Sequence, residues 1–276
     1  MGMRFLLITF SILLGAVAAD ASSVWRVTEN NGNVIYLGGS VHGLSSTDYP
    51  LPSAYNRAFD ASSRLVFEDE PNVSASAMRN LYKSGFYPKN DSLKNHIDPR
   101  TYDYLRRFFG LLSMPEAQLQ RYRPWMLVAM LWSSATNQLG VEGFLFRRAK
   151  ANGKSVGGLE SFREHYGIIS GLTDKQAELA LLSTFVSATS HKDANLAAWR
   201  GGDVDAIARD ESTLFSDLSW LHQRLIEDRN HNWIPKIEKL LHSGQIYFVV
   251  VGAGHMGGPQ GLLALLKSRG YRVEQI

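Results

Sequence analysis

Apolar and polar positions follow three successive patterns along the chain. Over residues 24–70, short apolar runs alternate with turn signals. Trp25-Arg26-Val27 and Val34-Ile35-Tyr36-Leu37 flank Glu29-Asn30-Asn31-Gly32-Asn33, whose Asn and Gly favour a hairpin turn. Pro50 and Pro52 open a short helix carrying Ala54, Ala58 and Phe59, with Pro52 suited to a first helical turn. Arg64-Leu65-Val66-Phe67 then reads as a strand that ends in acid, Glu68-Asp69-Glu70. From about 74 to 241 the apolar spacing becomes helical. Thr173-Asp174-Lys175-Gln176 predicts a capped start for a helix bearing Leu179, Leu181, Leu182, Phe185 and Val186. One interruption stands out there: a helix around 142–149, a turn at Asn152-Gly153-Lys154, and a strand running Ser155-Val156-Gly157-Gly158-Leu159-Glu160. Residues 245–276 return to strand, glycine turn, short helix and strand.

The first and last segments share a device. Val34-Ile35-Tyr36-Leu37-Gly38-Gly39-Ser40-Val41-His42 and Tyr247-Phe248-Val249-Val250-Val251-Gly252-Ala253-Gly254-His255 each carry an apolar strand into Gly-x-x-His. A proline (Pro52 or Pro259) and a later glutamate (Glu68 or Glu274) follow each copy. The pattern predicts an α/β fold whose central sheet is built from two related halves, with a large helical insertion at about 74–241. Ligands of open α/β sheets sit beyond the carboxyl ends of the strands. On one parallel sheet, His42, Glu68 and His255 would meet at that edge. Two imidazoles and a carboxylate with a vacant position suit a divalent metal, and Zn, Mn and Co fit such a set about equally.

Composition narrows the class. Apolar residues at 45% and charged residues at 20% are ordinary for a globular protein. The formal net charge of +3 comes with no basic run longer than Arg147-Arg148, so the footprint of a nucleic-acid binder is missing. Residues 1–19 read as a signal peptide. Arg4 precedes an apolar stretch from Phe5 to Ala16, and small residues follow at Ala16-Val17-Ala18-Ala19. The stretch is short for a membrane span, so no stable span is expected after cleavage; the rival reading is an uncleaved N-terminal anchor. The chain has no cysteine, which excludes disulfides and a cysteine-linked lipid anchor. A periplasmic or secreted protein of roughly 255 residues, spanning 20–276, fits this pattern.

Each candidate has a plainer reading. A histidine after a strand is often a turn residue, the Glu68-Asp69-Glu70 run can be a solvated loop, and Glu160 can face a helix dipole. His96, His165, His191, His222, His231 and His242 lack a glycine turn and read as surface residues. Gly252-Ala253-Gly254-His255-Met256-Gly257, with Glu274 beyond, also matches a dinucleotide fingerprint. That reading leaves His255 unexplained and finds no counterpart in the first copy.

The ordered set of motifs resembles the TraB/GumN family, relatives of the Tiki metalloproteases. It comprises the paired Gly-x-x-His turns, Val66-Phe67-Glu68, Tyr122-Arg123-Pro124-Trp125, Gly140-Val141-Glu142 and Gly158-Leu159-Glu160. Asp228-Arg229-Asn230 with Trp233 and Pro235 completes it. The resemblance implies an α/β fold with a helical insertion and a divalent metal site. In Tiki-like members that site supports hydrolysis of a peptide or protein substrate. By position it implies metal ligands at His42, Glu68 and His255. Glu142 stands where the family commonly has Asp, and Asp228 where it commonly has Glu, which leaves their roles open. On this basis Glu70 or Glu160 is expected as the general base and Arg229 as the oxyanion stabiliser. The alternative is an inactive binding or inhibitory protein of the same fold.

Overall fold

The structure, a computed structural model, describes residues 22–134, 140–186 and 192–276. The leader read at 1–19 lies outside them, as does His191. Six strands form one mixed sheet: β1 (Val24–Thr28), β2 (Val34–Ser40), β3 (Arg64–Asp69), β4 (Ser155–Glu160), β5 (Tyr247–Gly252) and β6 (Arg272–Gln275). Their spatial order is β4-β3-β5-β2-β1-β6.

The hairpin expected at Glu29–Asn33 joins β1 to β2 in an antiparallel pair, with Gly32 at a positive φ of 93°. Strands β2, β5, β3 and β4 run parallel. The central β5 buries Tyr247 through Val251, as expected of a strand covered on both faces. The carboxyl ends of these four parallel strands therefore share one edge. Ser40 pairs in register with Gly252, so the two histidine turns leave the sheet side by side.

The likeness of the two halves stops at local order. β3 adjoins β5, whereas β6 lies beyond β1 at the far end of the sheet. Glu274 is there bound to Arg26 at 2.7 Å, so it is no counterpart of Glu68 in space. The same placement removes the dinucleotide reading, since β6 is separated from β5 by two strands.

The first turn is fixed from beneath. Tyr55, on the helix Ser53–Ala61, donates its hydroxyl hydrogen to the Gly39 carbonyl. Trp199 Nε1 donates to that carbonyl at 2.8 Å and lies 2.9 Å from the Tyr55 hydroxyl. Both rings are fully buried, so this polar cluster is satisfied without water. The inserted helices build a second apolar cluster of their own around Leu105, Phe109, Leu119, Trp125, Leu181 and Leu221. The expected capping box at Thr173 is realised, with Gln176 N donating to Thr173 Oγ1 at 3.2 Å. Among the described residues, no helix is long and apolar enough to cross a membrane.

Gly158 marks where β4 crosses close to the end of β3. A Cβ there would meet the Asp69 carbonyl carbon and the Glu70 nitrogen at 2.4 Å, whereas one at Gly157 would meet nothing within 4 Å. Gly158→Ala should therefore destabilise by about 1–3 kcal/mol, as overpacking against rigid backbone does. Gly157→Ala should leave the melting temperature unchanged or raise it slightly. Thermal denaturation of both variants, at about 2–4 °C per kcal/mol for a chain of this size, separates these outcomes.

Candidate metal centre

Four strand ends deliver side chains to one place. Glu68 comes from the end of β3, Glu160 from the end of β4, and His255 from the turn after β5. His42 follows β2. The helix Asp228–His242 brings Arg229 across that edge, just after a π-helical turn at Gln223–Glu227. A cavity of about 600 Å³ opens here, walled by His42, Glu68, Glu142, His165, Trp132 and Arg229 among others.

Arg229 is the hub. Its Nη2 donates to Glu68 Oε2 at 2.6 Å and to Glu160 Oε2 at 3.1 Å. Nε donates to Glu160 Oε1 at 3.0 Å. Nη1 donates to the Leu225 carbonyl at 3.2 Å and to His255 Nε2 at 3.1 Å. The guanidinium also lies over the Trp233 ring at 4.6 Å, and Trp233 Nε1 donates to Glu160 Oε1 at 2.9 Å. Every N–H of the guanidinium thus has an acceptor inside the protein. In this arrangement none remains for a substrate oxyanion.

The protonation of His255 can be read from its neighbours. Asn230 Nδ2 donates to the carbonyls of His255 and Gln260, at 3.2 and 2.8 Å. That orientation leaves Asn230 Oδ1 facing His255 Nδ1 at 2.8 Å, so Nδ1 must carry the hydrogen. Nε2 therefore holds a lone pair on the side of Arg229, which donates to it. Burial pushes the imidazole down to about 3, so it is neutral at ordinary pH. A neutral imidazole with its second nitrogen tied to an oriented acceptor is the form that binds metals.

The carboxylates divide into two kinds. Burial alone would raise Glu68, but the Arg229 charge and the Gly252 N–H, at 2.6 Å from Oε1, hold it well below the usual range. Burial likewise opposes ionisation of Glu160, and hydrogen bonds from His165 and Arg229 outweigh it. Glu142 behaves oppositely. Burial and the nearby Glu68 charge push it up to about 8, against the opposing pull of Ser40 Oγ, donating to Oε1 at 2.7 Å, and of the Arg229 charge. Asp69 is also raised, by burial and by the charges of Glu68 and Glu160.

Not every sequence candidate arrives here. Glu68, Glu160, Arg229 and His255 are brought into one bonded network, with His255 Nε2 3.8 Å from Glu68 Oε1. His42 is exposed and stands on the cavity wall, outside that network. Glu70 is exposed, is not among the walls, and reaches Glu160 only through its backbone, N–H to carbonyl at 2.9 Å. His165, read from sequence as a surface residue, lines the cavity with Nδ1 3.2 Å from Glu160 Oε2. The capping box Ser161-x-x-Glu164 was the available clue, since it places His165 within the first turns of a helix that starts at the strand end. His96 is also no simple surface group, lying between Asp91 and Asp174 at 2.7 and 2.9 Å.

The donor chemistry fits a divalent ion. A fixed imidazole lone pair adjoins Glu68, and acids outnumber the single lysine or arginine among the described lining residues. The arrangement is not yet a cage. Among the described residues, no three His, Asp or Glu side chains are gathered for an ion. Arg229 Nη1 occupies the His255 lone pair, so an ion binding there would have to take its place.

Comparison with known proteins identifies the family. The TraB/PrgY/gumN family profile matches residues 23–275. Among curated relatives, the chain is 26% identical to a zebrafish (Danio rerio) protein named metalloprotease TIKI2, over 87% of this chain and 58% of the relative. It is 22% identical to a metalloprotease TIKI homolog of Amphimedon queenslandica, over 94% of this chain and 62% of the relative. An uncharacterized protein of Treponema pallidum (strain Nichols) is 24% identical, over 89% and 80% of the two chains. The chain thus spans less than two thirds of either metalloprotease-named relative. No solved structure matches significantly.

The raised Glu142 yields a pH prediction. An acid held at about 8 in the folded state, against an ordinary 4.5, stabilises the fold while protonated. That contribution is fully present below 4.5 and is lost as pH rises through about 8. Glu142→Gln keeps the acceptor for Ser40 and removes the titration. In metal-stripped protein, urea denaturation should give equal stabilities near pH 4. Near pH 8.5 the variant should be the more stable by about 1–3 kcal/mol.

Proposed function

The chain belongs to the TraB/PrgY/gumN family, and from that premise we propose that it is a metal-dependent hydrolase of the peptidase kind. The observation that carries this reading is the lone pair of His255 Nε2, fixed by Asn230 and set beside Glu68, which lines an acid-rich cavity. The metalloprotease names of two distant relatives point the same way. His255, Glu68 and His42 would hold the ion, with Zn, Mn and Co all suited to such donors. When bound, it supplies a Lewis acid able to polarise a substrate carbonyl.

The chain's own residues supply the rest. Glu142 is the group poised to move a proton near neutral pH, as a general base or acid needs. Ser40 fixes its Oε1 and leaves Oε2 to exchange the proton. This moves the role away from Glu160 and Glu70. Glu160 has both oxygens engaged by Arg229, Trp233 and His165, and Glu70 is off the cavity wall. Arg229 positions Glu68 and Glu160 and keeps both ionised. The wall residues Trp132, Ile168 and Ile169 limit water around the reacting groups. We place the protein outside the cytoplasm, on the pattern of residues 1–19 and the absence of cysteine.

One observation favours a second reading. Arg229 already satisfies the His255 lone pair without any ion, so the fold is complete as an inactive binding or inhibitory protein.

Metal content separates the two readings. Protein purified without chelators should carry about one divalent ion per chain, and His255→Ala should lose it. A peptide library should be cut with added Mn, Co or Zn and spared with EDTA. Glu142→Gln should keep the metal and lose about 10²–10⁴-fold in rate, the usual range for a general base. A metal-free wild-type protein would favour the second reading and end the first.

A further inference from the structure

The sheet has two edges, and they differ in chemistry. β6 is short and carries Arg272 and Glu274, the charged dressing that keeps an edge strand from pairing further. The β4 run from Ser155 to Leu159 has no charge, no proline and two consecutive glycines. Its outward groups can be identified. Glu70 N donates to the Glu160 carbonyl, so that carbonyl faces β3. In a parallel strand, alternate residues point their N–H and C=O to the same side. Gly158 and Val156 therefore face β3 as Glu160 does, while Leu159, Gly157 and Ser155 face outward. Lys236 Nζ donating to the Leu159 carbonyl at 2.6 Å agrees with this assignment. Among the described residues, the Gly157 N–H and C=O and the Leu159 N–H have no hydrogen-bond partner.

A cleft of about 460 Å³ opens over the sheet face beside this edge, between the helix Asp228–His242 and β4, β3 and the start of β5. Arg64, Lys236 and Lys239 line it, no acidic residue does, and Gly157 leaves its floor open. A second groove of about 460 Å³ shares Lys236 with it but is mixed in charge, walled by Glu160, Glu164 and Asp228 as well as Arg224 and Arg229. The unpaired edge thus ends at Leu159, next in sequence to Glu160 of the hub, with Lys236 standing between them.

We propose that β4 is a docking strand on which an extended acidic peptide segment adds as a further strand of the sheet, with its acidic side chains beside Arg64 and Lys239. Unpaired backbone groups recognise a peptide through its own N–H and C=O, whatever its side chains. Arg64 and Lys239 favour acidic side chains in the occupant. The proposal rests on the peptidase reading for the identity of that segment as substrate.

Binding can be tested apart from hydrolysis. The probe is a blocked decapeptide alternating Glu with Val and Thr, added to full-length protein stripped of metal with EDTA. Amide hydrogen exchange should slow at Gly157 and Leu159 on binding. Gly157→Pro removes one outward donor without touching the bonds to β3, and should weaken the Kd at least tenfold. Gly157→Ala should leave it within twofold. A probe N-methylated at alternate residues should bind at least tenfold more weakly to the unaltered protein, which keeps the test independent of how Gly157→Pro folds. Absence of binding, unchanged exchange at 155–159, or affinity indifferent to N-methylation would overturn the proposal. Strand addition that persists in a protein showing no metal and no hydrolysis would remove the peptidase reading alone.

Discussion

The guanidinium of Arg229 is the interaction on which the site depends. It is nearly buried, it binds Glu68 and Glu160 together, and it stacks on Trp233. Two carboxylates this deep in a protein are tolerated only if charge and hydrogen bonds replace lost water. Removing one member of such a network leaves the others uncompensated, at about 3–5 kcal/mol for a buried pair. The guanidinium joins groups from β3, β4, the β5 turn and the Asp228–His242 helix, so it also fixes how the inserted helices sit over the sheet edge.

The backbone turns supply a second constraint. Gly252 approaches Glu68, where a Cβ would lie 3.1 Å from Oε1, and its N–H donates to the same oxygen. At Gly254 a Cβ would fall about 2 Å from the Glu211 carboxylate. Glycine in the second Gly-x-x-His turn therefore does more than reverse the chain. It lets two acidic side chains close on the turn that presents His255. The first turn is held differently, by Tyr55 and Trp199 on the Gly39 carbonyl, and its histidine ends up exposed. Similar tetrapeptides therefore deliver two unlike imidazoles, one locked and neutral, the other free to move.

Much of the fold was legible because its signals are local. The Asn-rich hairpin, the capped helix at Thr173, the apolar β5 run and the strand at Ser155 each lie within about ten residues. The parallel core followed from the two glycine turns, as did the gathering of Glu68 and His255. Strand order was not legible, because nothing in the Tyr271–Glu274 sequence tells whether that strand pairs with β5 or with β1. The same limit hid Glu142 and His165. Their helices start at recognisable caps, but which helical face meets the cavity depends on packing between distant segments. The saturation of Arg229 needed acceptors from four separate stretches of chain, at Glu68, Glu160, Leu225 and His255, and no pattern in one stretch encodes that.

Charge balance ties these features to the proposed chemistry. In the arrangement described, Arg229 neutralises one of the two ionised acids it touches, and the excess negative charge raises the neighbouring acids, Glu142 to about 8 and Asp69 in the same direction. A dication at His255 and Glu68 would reverse that logic. Its charge would favour ionised Glu142 and Asp69 and would repel Arg229, whose hold on the His255 lone pair it must replace. The protons held by Glu142 and the contact held by Arg229 are therefore two parts of one equilibrium, and cation binding shifts both in the same direction. On the proposed reading, a site built this way would hold together with or without an ion, because Arg229 supplies positive charge to Glu68 and Glu160. If Nη1 left the histidine for an ion, the guanidinium would still be held by its existing bonds to Glu68 and Glu160.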